Sequence, residues 1–360
     1  YLNDSLLDTV PRGTDYYSTT EIASRAIAQL KGHKEKHKDQ PFFSYVAFTT
    51  PHFPLHAPAA DIARVGDRYA SGWDKMREQR WERIQELGIA SGQLSPVEAD
   101  VGPPYHFPES LEILGENEVN RPLPWDALTP GQQDFQEQKM RIHAAMVERL
   151  DAEIGRIVEQ LREMDVLENT IILFLSDNGS SAEIMVRGDG HDPDAAPGSA
   201  DCYLCLGPGW STMCNTPFRM HKIWVHEGGA CTPLIVHWPQ GIQGRGELRH
   251  DPGHVIDLLP TMLDLAGLDV TEDLEVPFPG KSLVPTFAGD TGWEREIWWY
   301  HEGNRALRYG DWKIVAARDK PWEMFDLAAD LTESNNLAGE LAGRLSDMEK
   351  RWESILDEIR

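Results

Sequence analysis

The 360 residues carry 34 Lys and Arg against 59 Asp and Glu, a formal net charge of −25 with His neutral. A chain this acidic repels phosphate backbones, which argues against a nucleic-acid binder, and 41% hydrophobic residues suffice for a core and argue against disorder. At about 150 residues per domain the length fits two domains or one with an appendage, and no apolar run approaches the roughly 18 residues of a membrane helix.

The chain opens on Tyr1-Leu2-Asn3-Asp4, with neither an initiator Met nor a basic-then-apolar leader. No targeting segment is read, and the chain is expected to be a segment of something longer. Ser18-x-x-Glu21 has the form of a capping box, followed by Ile22, Ala26, Ile27 and Leu30 at helical spacing. Phe42 to Phe48 reads as a buried strand that breaks into the proline-punctuated loop Thr50-Pro51-His52-Phe53-Pro54. Residues 60 to 135 are expected to be an irregular insertion with one helix near 72–87. Ile142, Met146, Leu150, Ile154, Ile157, Val158 and Leu161 then form one stripe of a long helix over about 138–164. Thr170 to Leu175 is a continuous apolar strand that stops at Ser176-Asp177-Asn178-Gly179. A third strand, Pro233 to Trp238, precedes a helix carrying Val255, Leu258, Leu259, Met262 and Leu265, closed by Gly267.

Alternating helices and buried strands predict an α/β fold with a largely parallel sheet. After Gly289 the pattern changes to short strands at 296–300, 305–309, 312–315 and 322–325, with Gly310-Asp311 as a turn. A last helix carries Leu341, Leu345, Met348, Trp352 and Ile355. The expected division is 1–289 as one domain and 290–360 as a small antiparallel sheet with one helix.

Cys202, Cys205, Cys214 and Cys231 are too few for a disulfide scaffold. The Cys202-x-x-Cys205 pair lacks a second zinc knuckle, so one loop disulfide or free thiols is expected.

In α/β sheets functional groups gather where strands end. Asp177 and Asn178 offer a carboxylate and an amide oxygen beyond the strongest strand, a donor set for Ca²⁺ or Mg²⁺; the bland alternative is an Asx turn. His52, stiffened by Pro51 and Pro54, is a candidate proton donor to a leaving group, against the alternative of an exposed loop imidazole. Lys222, between Phe218, Trp224 and the Gly228-Gly229 pair, can aim an ammonium at an anion, against the alternative of a surface lysine.

Taken together, the stretches carrying these clusters resemble the sulfatase family, in particular bacterial arylsulfatases of the alkaline-phosphatase superfamily. They are Thr50-Pro51-His52-x-Pro54-Leu55, His143 to Gly155, Asn169 to Gly179, and Asn215-Thr216-Pro217-Phe218-Arg219 through Lys222 to His226-Glu227-Gly228-Gly229. Pro260 to Asp264, Gly280 to Leu283, Gly303-Asn304-Arg305-Ala306-Leu307-Arg308 and Gly310-Asp311-Trp312-Lys313 also match, in the expected order.

The resemblance implies an alkaline-phosphatase-like sandwich, a mostly parallel central sheet between helices. It also implies hydrolysis of a small-molecule or glycan sulfate ester in the periplasm or outside the cell. Asp177 and Asn178 would be two ligands of Ca²⁺, with Mg²⁺ as the alternative ion. Lys222 would neutralise sulfate charge and His52 would protonate the departing oxygen. His226 and Glu227 have no assigned chemistry and are expected to be structural. Family members use a formylglycine made from a C/S-x-P-x-R motif, and no such motif occurs here. Cys214-Asn215-Thr216-Pro217 has one residue too many before its proline. The chain thus reads as a sulfatase catalytic domain without the N-terminal part that carries the nucleophile. The competing readings are a phosphodiesterase or phosphonate ester hydrolase of the same superfamily, and a non-catalytic anion-binding remnant.

Overall fold

The structure, a computed structural model, describes residues 3–11, 13–186, 190–268 and 279–359. Helix α1 spans Ser18–His37 and buries Thr19, Ala23, Ala26 and Leu30 against α5 (Pro130–Glu163). Tyr17 is the residue before the first turn and no side chain caps it, so the Ser18 box does not form. The box appears instead at α5, where the Thr129 hydroxyl accepts from Gln132 N–H and the Gln132 side chain accepts from Thr129 N–H. That cap starts α5 at Pro130, eight residues before the expected start near 138.

Between them lie α2 (Ala59–Val65), α3 (Gly72–Glu86) and α4 (Pro108–Leu114), more regular than the expected insertion. Asp61 of α2 is wholly buried and takes a bidentate pair from Arg149 of α5 at 2.7 and 2.8 Å. The main core sits where α3, α5 and α6 (Pro208–Cys214) meet, around edge-to-face contacts of Trp73 with Trp125 and Trp210.

Strand β1 (Ile172–Leu175) pairs with β2 (Leu234–His237), Ile172 opposite His237 and Leu175 opposite Leu234. The α/β class holds, but this ladder runs antiparallel, and no parallel ladder occurs among the described residues. The expectation of a buried strand at Phe42–Phe48 fails. Those residues have no ladder partner among the described residues, and Phe43 and Tyr45 are 74% and 83% exposed. Apolar composition marked the segment for burial, but a strand also needs neighbours for its N–H and C=O groups. Ile235 and Phe174 on the β1–β2 ladder are likewise exposed.

Short helices α7 (Glu227–Ala230) and α8 (Leu258–Leu265) precede the C-terminal unit. There β3 (Glu296–His301), β4 (Asn304–Tyr309), β5 (Trp312–Ala316) and β6 (Glu323–Asp326) form an antiparallel meander. Helix α9 (Ala342–Ile359) covers one face through Trp352, Leu345, Met348 and Ile355. The other face packs Ala306, Val315 and Phe325 on Val225, which belongs to the loop carrying Lys222. No helix among the described residues is long and apolar enough to cross a membrane.

Exposed aromatic and aliphatic side chains on the 42–48 segment and on β2 are sticky positions at the surface. The pair of changes Phe43→Ser and Ile235→Thr should lower binding of the dye ANS and slow aggregation without lowering the thermal midpoint. A lower midpoint would mean these side chains are packed.

Candidate functional site

Two segments 170 residues apart meet at one hydrogen bond. Lys222 Nζ lies 3.1 Å from His52 Nε2, and His52 Nδ1 lies 2.9 Å from Phe53 O. A carbonyl can only accept, so Nδ1 carries the proton; an ammonium can only donate, so Nε2 accepts from Lys222. Two neighbours thus set the tautomer of an exposed imidazole. The sequence-derived candidates His52 and Lys222 are brought together.

Asp177 and Asn178 follow β1. Asn178 Nδ2 donates to Gly179 O, its amide oxygen has no partner among the described residues, and Ser176 Oγ donates to Asn178 O. Asp177 is exposed and its carboxylate has no hydrogen bond or ion pair among the described residues. A free carboxylate beside a free amide oxygen fits part of the shell of a hard cation. No group of three or more His, Cys, Asp or Glu converges among the described residues, so these two donors are a partial set.

Backbone contacts without room for side chains join this loop to the Lys222 loop. Gly179 N–H donates to Gly229 O and Lys222 N–H to Ser180 O, both at 2.9 Å. A Cβ on Gly179 would stand 1.9 Å from Gly228 O, and one on Gly228 would stand 2.2 Å from Arg219 O. Asn215, buried, accepts from Ser180 N–H at 2.7 Å and donates to Ser180 O and Met220 O. The backbone of His226-Glu227-Gly228-Gly229 thus packs closely against both loops.

A network of charges removed from water holds the same loop from beneath. Lys313 of β5 is fully buried, with Nζ 2.6 Å from Glu227 Oε1 and 2.8 Å from Glu333 Oε1. The other Glu333 oxygen accepts from Glu227 N–H. Burial alone would raise the Glu227 carboxyl and lower the Lys313 ammonium, but their mutual attraction prevails and both stay charged. Glu323 of β6 accepts from Arg219 and pairs with His226 Nε2 at 2.9 Å.

Sequence reasoning missed Asn215, Lys313, Glu323 and Glu333. Lys313 had a signal: it sits in an apolar strand, where an unpaired charge would be untenable.

All four cysteines are free. Burial raises each thiol, Cys205 to about 12 and Cys214 to about 11, so none is poised as a thiolate ligand or nucleophile.

The chain belongs to the sulfatase family: the model described as Sulfatase matches residues 2–268, and the model described as N-sulphoglucosamine sulphohydrolase, C-terminal, matches residues 219–359. An uncharacterised sulfatase of Schizosaccharomyces pombe is 28% identical over 94% of the chain and 61% of its own length. An arylsulfatase of Klebsiella aerogenes is 31% identical over 75% of the chain and 56% of its own length. The chain thus spans about three fifths of these relatives. Among solved structures, Ps i-CgsB superposes with a TM-score of 0.58 at 21% identity, over 95% of this chain and 56% of that one. A phosphonate monoester hydrolase of Silicibacter pomeroyi gives 0.53 at 18% identity, over 95% and 60%. At such identities the likeness establishes the fold.

The glycines allow a direct contrast. Gly228→Ala should lower the thermal midpoint strongly, because backbone atoms block its Cβ. Gly155→Ala on α5, where a Cβ meets nothing within 4 Å, should be neutral or stabilising by up to about 1 kcal/mol. Equal effects would contradict the packed backbone described here.

His221, beside Lys222, is buried, bonds Ser211 Oγ at 2.8 Å, and is lowered from 6.5 to about 4 by burial. A histidine depressed in the fold stabilises fully above its ordinary value, and that contribution fades as pH falls from 6.5 towards 4. His221→Gln should therefore lose less stability than the parent between pH 7.5 and 5 in urea titrations. An equal loss would show that another group carries the acid limb.

Proposed function

We infer that this chain forms one side of a site that hydrolyses sulfuric esters, of a small molecule or a glycan, by S–O cleavage in a periplasmic or extracellular compartment. The observation that carries this reading is the Lys222–His52 contact beside the Asp177–Asn178 loop, in a chain whose family and whose arylsulfatase relative are sulfatases.

A sulfate group entering beside Lys222 takes over the ammonium donor that His52 now holds. Charge neutralisation here is local, because the chain as a whole repels anions. Phe53 O keeps the Nδ1 proton in place, so Nε2 faces the ester. Protonated, Nε2–H gives its proton to the bridging oxygen as the S–O bond breaks and an oxygen supplied by water bonds to sulfur, so that the alcohol or phenol leaves neutral, sulfate is the second product and the ring keeps its Nδ1 proton. Asp177 and Asn178 are the residues that would hold Ca²⁺, or Mg²⁺; bound there, the ion would supply Lewis-acid polarisation of the sulfate oxygens. No residue of the chain fits the formylglycine motif, so no step is derived through that group. A phosphonate monoester could occupy the same donors, and it is the competing substrate in the assay.

In the whole gene product titrated with CaCl₂ in a calorimeter, Asp177→Ala should lose most of the heat seen with the parent. Unchanged calcium affinity would remove Asp177 from the metal site. In the whole gene product, His52→Ala should slow esters of poor leaving groups about 10²–10⁴-fold and activated aryl sulfates far less. Equal losses would make His52 a positioning group, and faster turnover of phosphonate than sulfate would overturn the substrate class. The 360 residues alone should bind inorganic sulfate, more weakly after Lys222→Ala, and turn over no aryl sulfate. Turnover above the Lys222→Ala background would contradict the account.

A further inference from the structure

Lys222 stands between two backbone conformations that L-residues rarely adopt. Met220 has φ 66° and Ile223 has φ 88°. For a β-branched residue the left-handed region is a steric outlier, and it persists only where surroundings enforce it. The surroundings here are two buried asparagines, one on each side. Asn215 Nδ2 donates to Met220 O at 3.1 Å, and Asn304 Nδ2 donates to Ile223 O at 3.1 Å. Neither amide can turn away freely. Asn215 Oδ1 is committed to Ser180 N–H. Asn304, at the start of β4, also donates to His301 O and accepts from Arg318 N–H.

We propose that Asn304 and Asn215 form a clamp that holds the strained 220–223 turn and so positions Lys222 against His52, with Asn304 carrying the geometry of the C-terminal sheet into the site. The inference rests on the sulfatase reading only for what Lys222 then does; the clamp is a claim about geometry. Asn304 touches no reacting group and is a positioning residue. Without its amide, Ile223 relaxes towards negative φ, the peptide between Ile223 and Trp224 turns, and the Lys222 side chain leaves Nε2.

The test uses the chain labelled with ¹⁵N in its histidine rings, the His52 signals being assigned by their loss in His52→Gln. Asn304→Ala should move the His52 Nε2 signal to the position seen in Lys222→Ala. Asn336→Ala is the control. Asn336 is another amide of the C-terminal unit, accepting from Met324 N–H and Ala338 N–H, so its loss should cost stability but leave His52 unmoved. Glycine adopts positive φ without penalty, so Ile223→Gly added to Asn304→Ala should return the signal most of the way to the parent. Asn304→Asp, which keeps the acceptor for Arg318 N–H and loses the donor to Ile223 O, replaces the alanine variant if that fails to fold.

A His52 signal that moves no more in Asn304→Ala than in Asn336→Ala, or that Ile223→Gly does not restore, overturns the clamp. In the whole gene product acting on an aryl sulfate, Asn304→Ala should raise KM about tenfold and change kcat less, and the added Ile223→Gly should reverse the rise. Absence of aryl sulfate turnover in the parent would overturn the sulfatase reading, while the ring signals decide the clamp by themselves.

Discussion

An ammonium group buried between two carboxylates is the interaction on which the rest depends. Lys313 has no access to water, and its partners Glu227 and Glu333 are buried with it. Taking such charges out of water costs several kcal/mol per ion, and the geometry must return it. Each group therefore has one permitted place. Glu227 begins α7, Glu333 lies beyond β6, and Lys313 is in β5. The triad fixes the C-terminal sheet to the backbone that leads back to Lys222. From α7, the Gly229 carbonyl holds Gly179, two residues from Asp177. One buried cation thus governs the relative placement of two loops that come from distant parts of the chain.

Charge is used in two opposite ways. Beneath the loops it is neutralised pair by pair and serves position. At the surface, and among the described residues, Lys222 Nζ meets a ring nitrogen of His52 and no carboxylate, and Asp177 faces no partner. Groups left uncompensated at a strand end are available to a ligand, whereas those in the triad are not. A surface of net charge −25 has weak general affinity for anions, so recognition of a sulfate must come from such local donors.

How much was legible in the sequence follows from the range of the forces involved. The β3–β6 meander and α9 were readable because alternation and turns are local. The long helix was readable from its stripe, but its start was not, since the cap at Thr129 precedes the stripe. Phe42–Phe48 was misread because apolar content says nothing about ladder partners. Asp177, Asn178, His52 and Lys222 stood in recognisable stretches, yet the 3.1 Å meeting of His52 and Lys222 is a long-range fact that no window contains. Asn215 and Asn304 look like ordinary turn residues; their role depends on carbonyls presented by Met220 and Ile223, whose positive φ angles no propensity predicts.

Hydrogen exchange of the Lys313→Met chain, followed by mass spectrometry, tests the central claim most directly. Peptides covering 176–181 and 219–229 should lose protection, because the Gly179 and Lys222 amides bond within the two loops that the triad holds. Peptides from the α5 core around Met140–Leu150 should keep theirs. Unchanged exchange in the two loops, or an equal loss in α5, would contradict the claim that Lys313 organises the site.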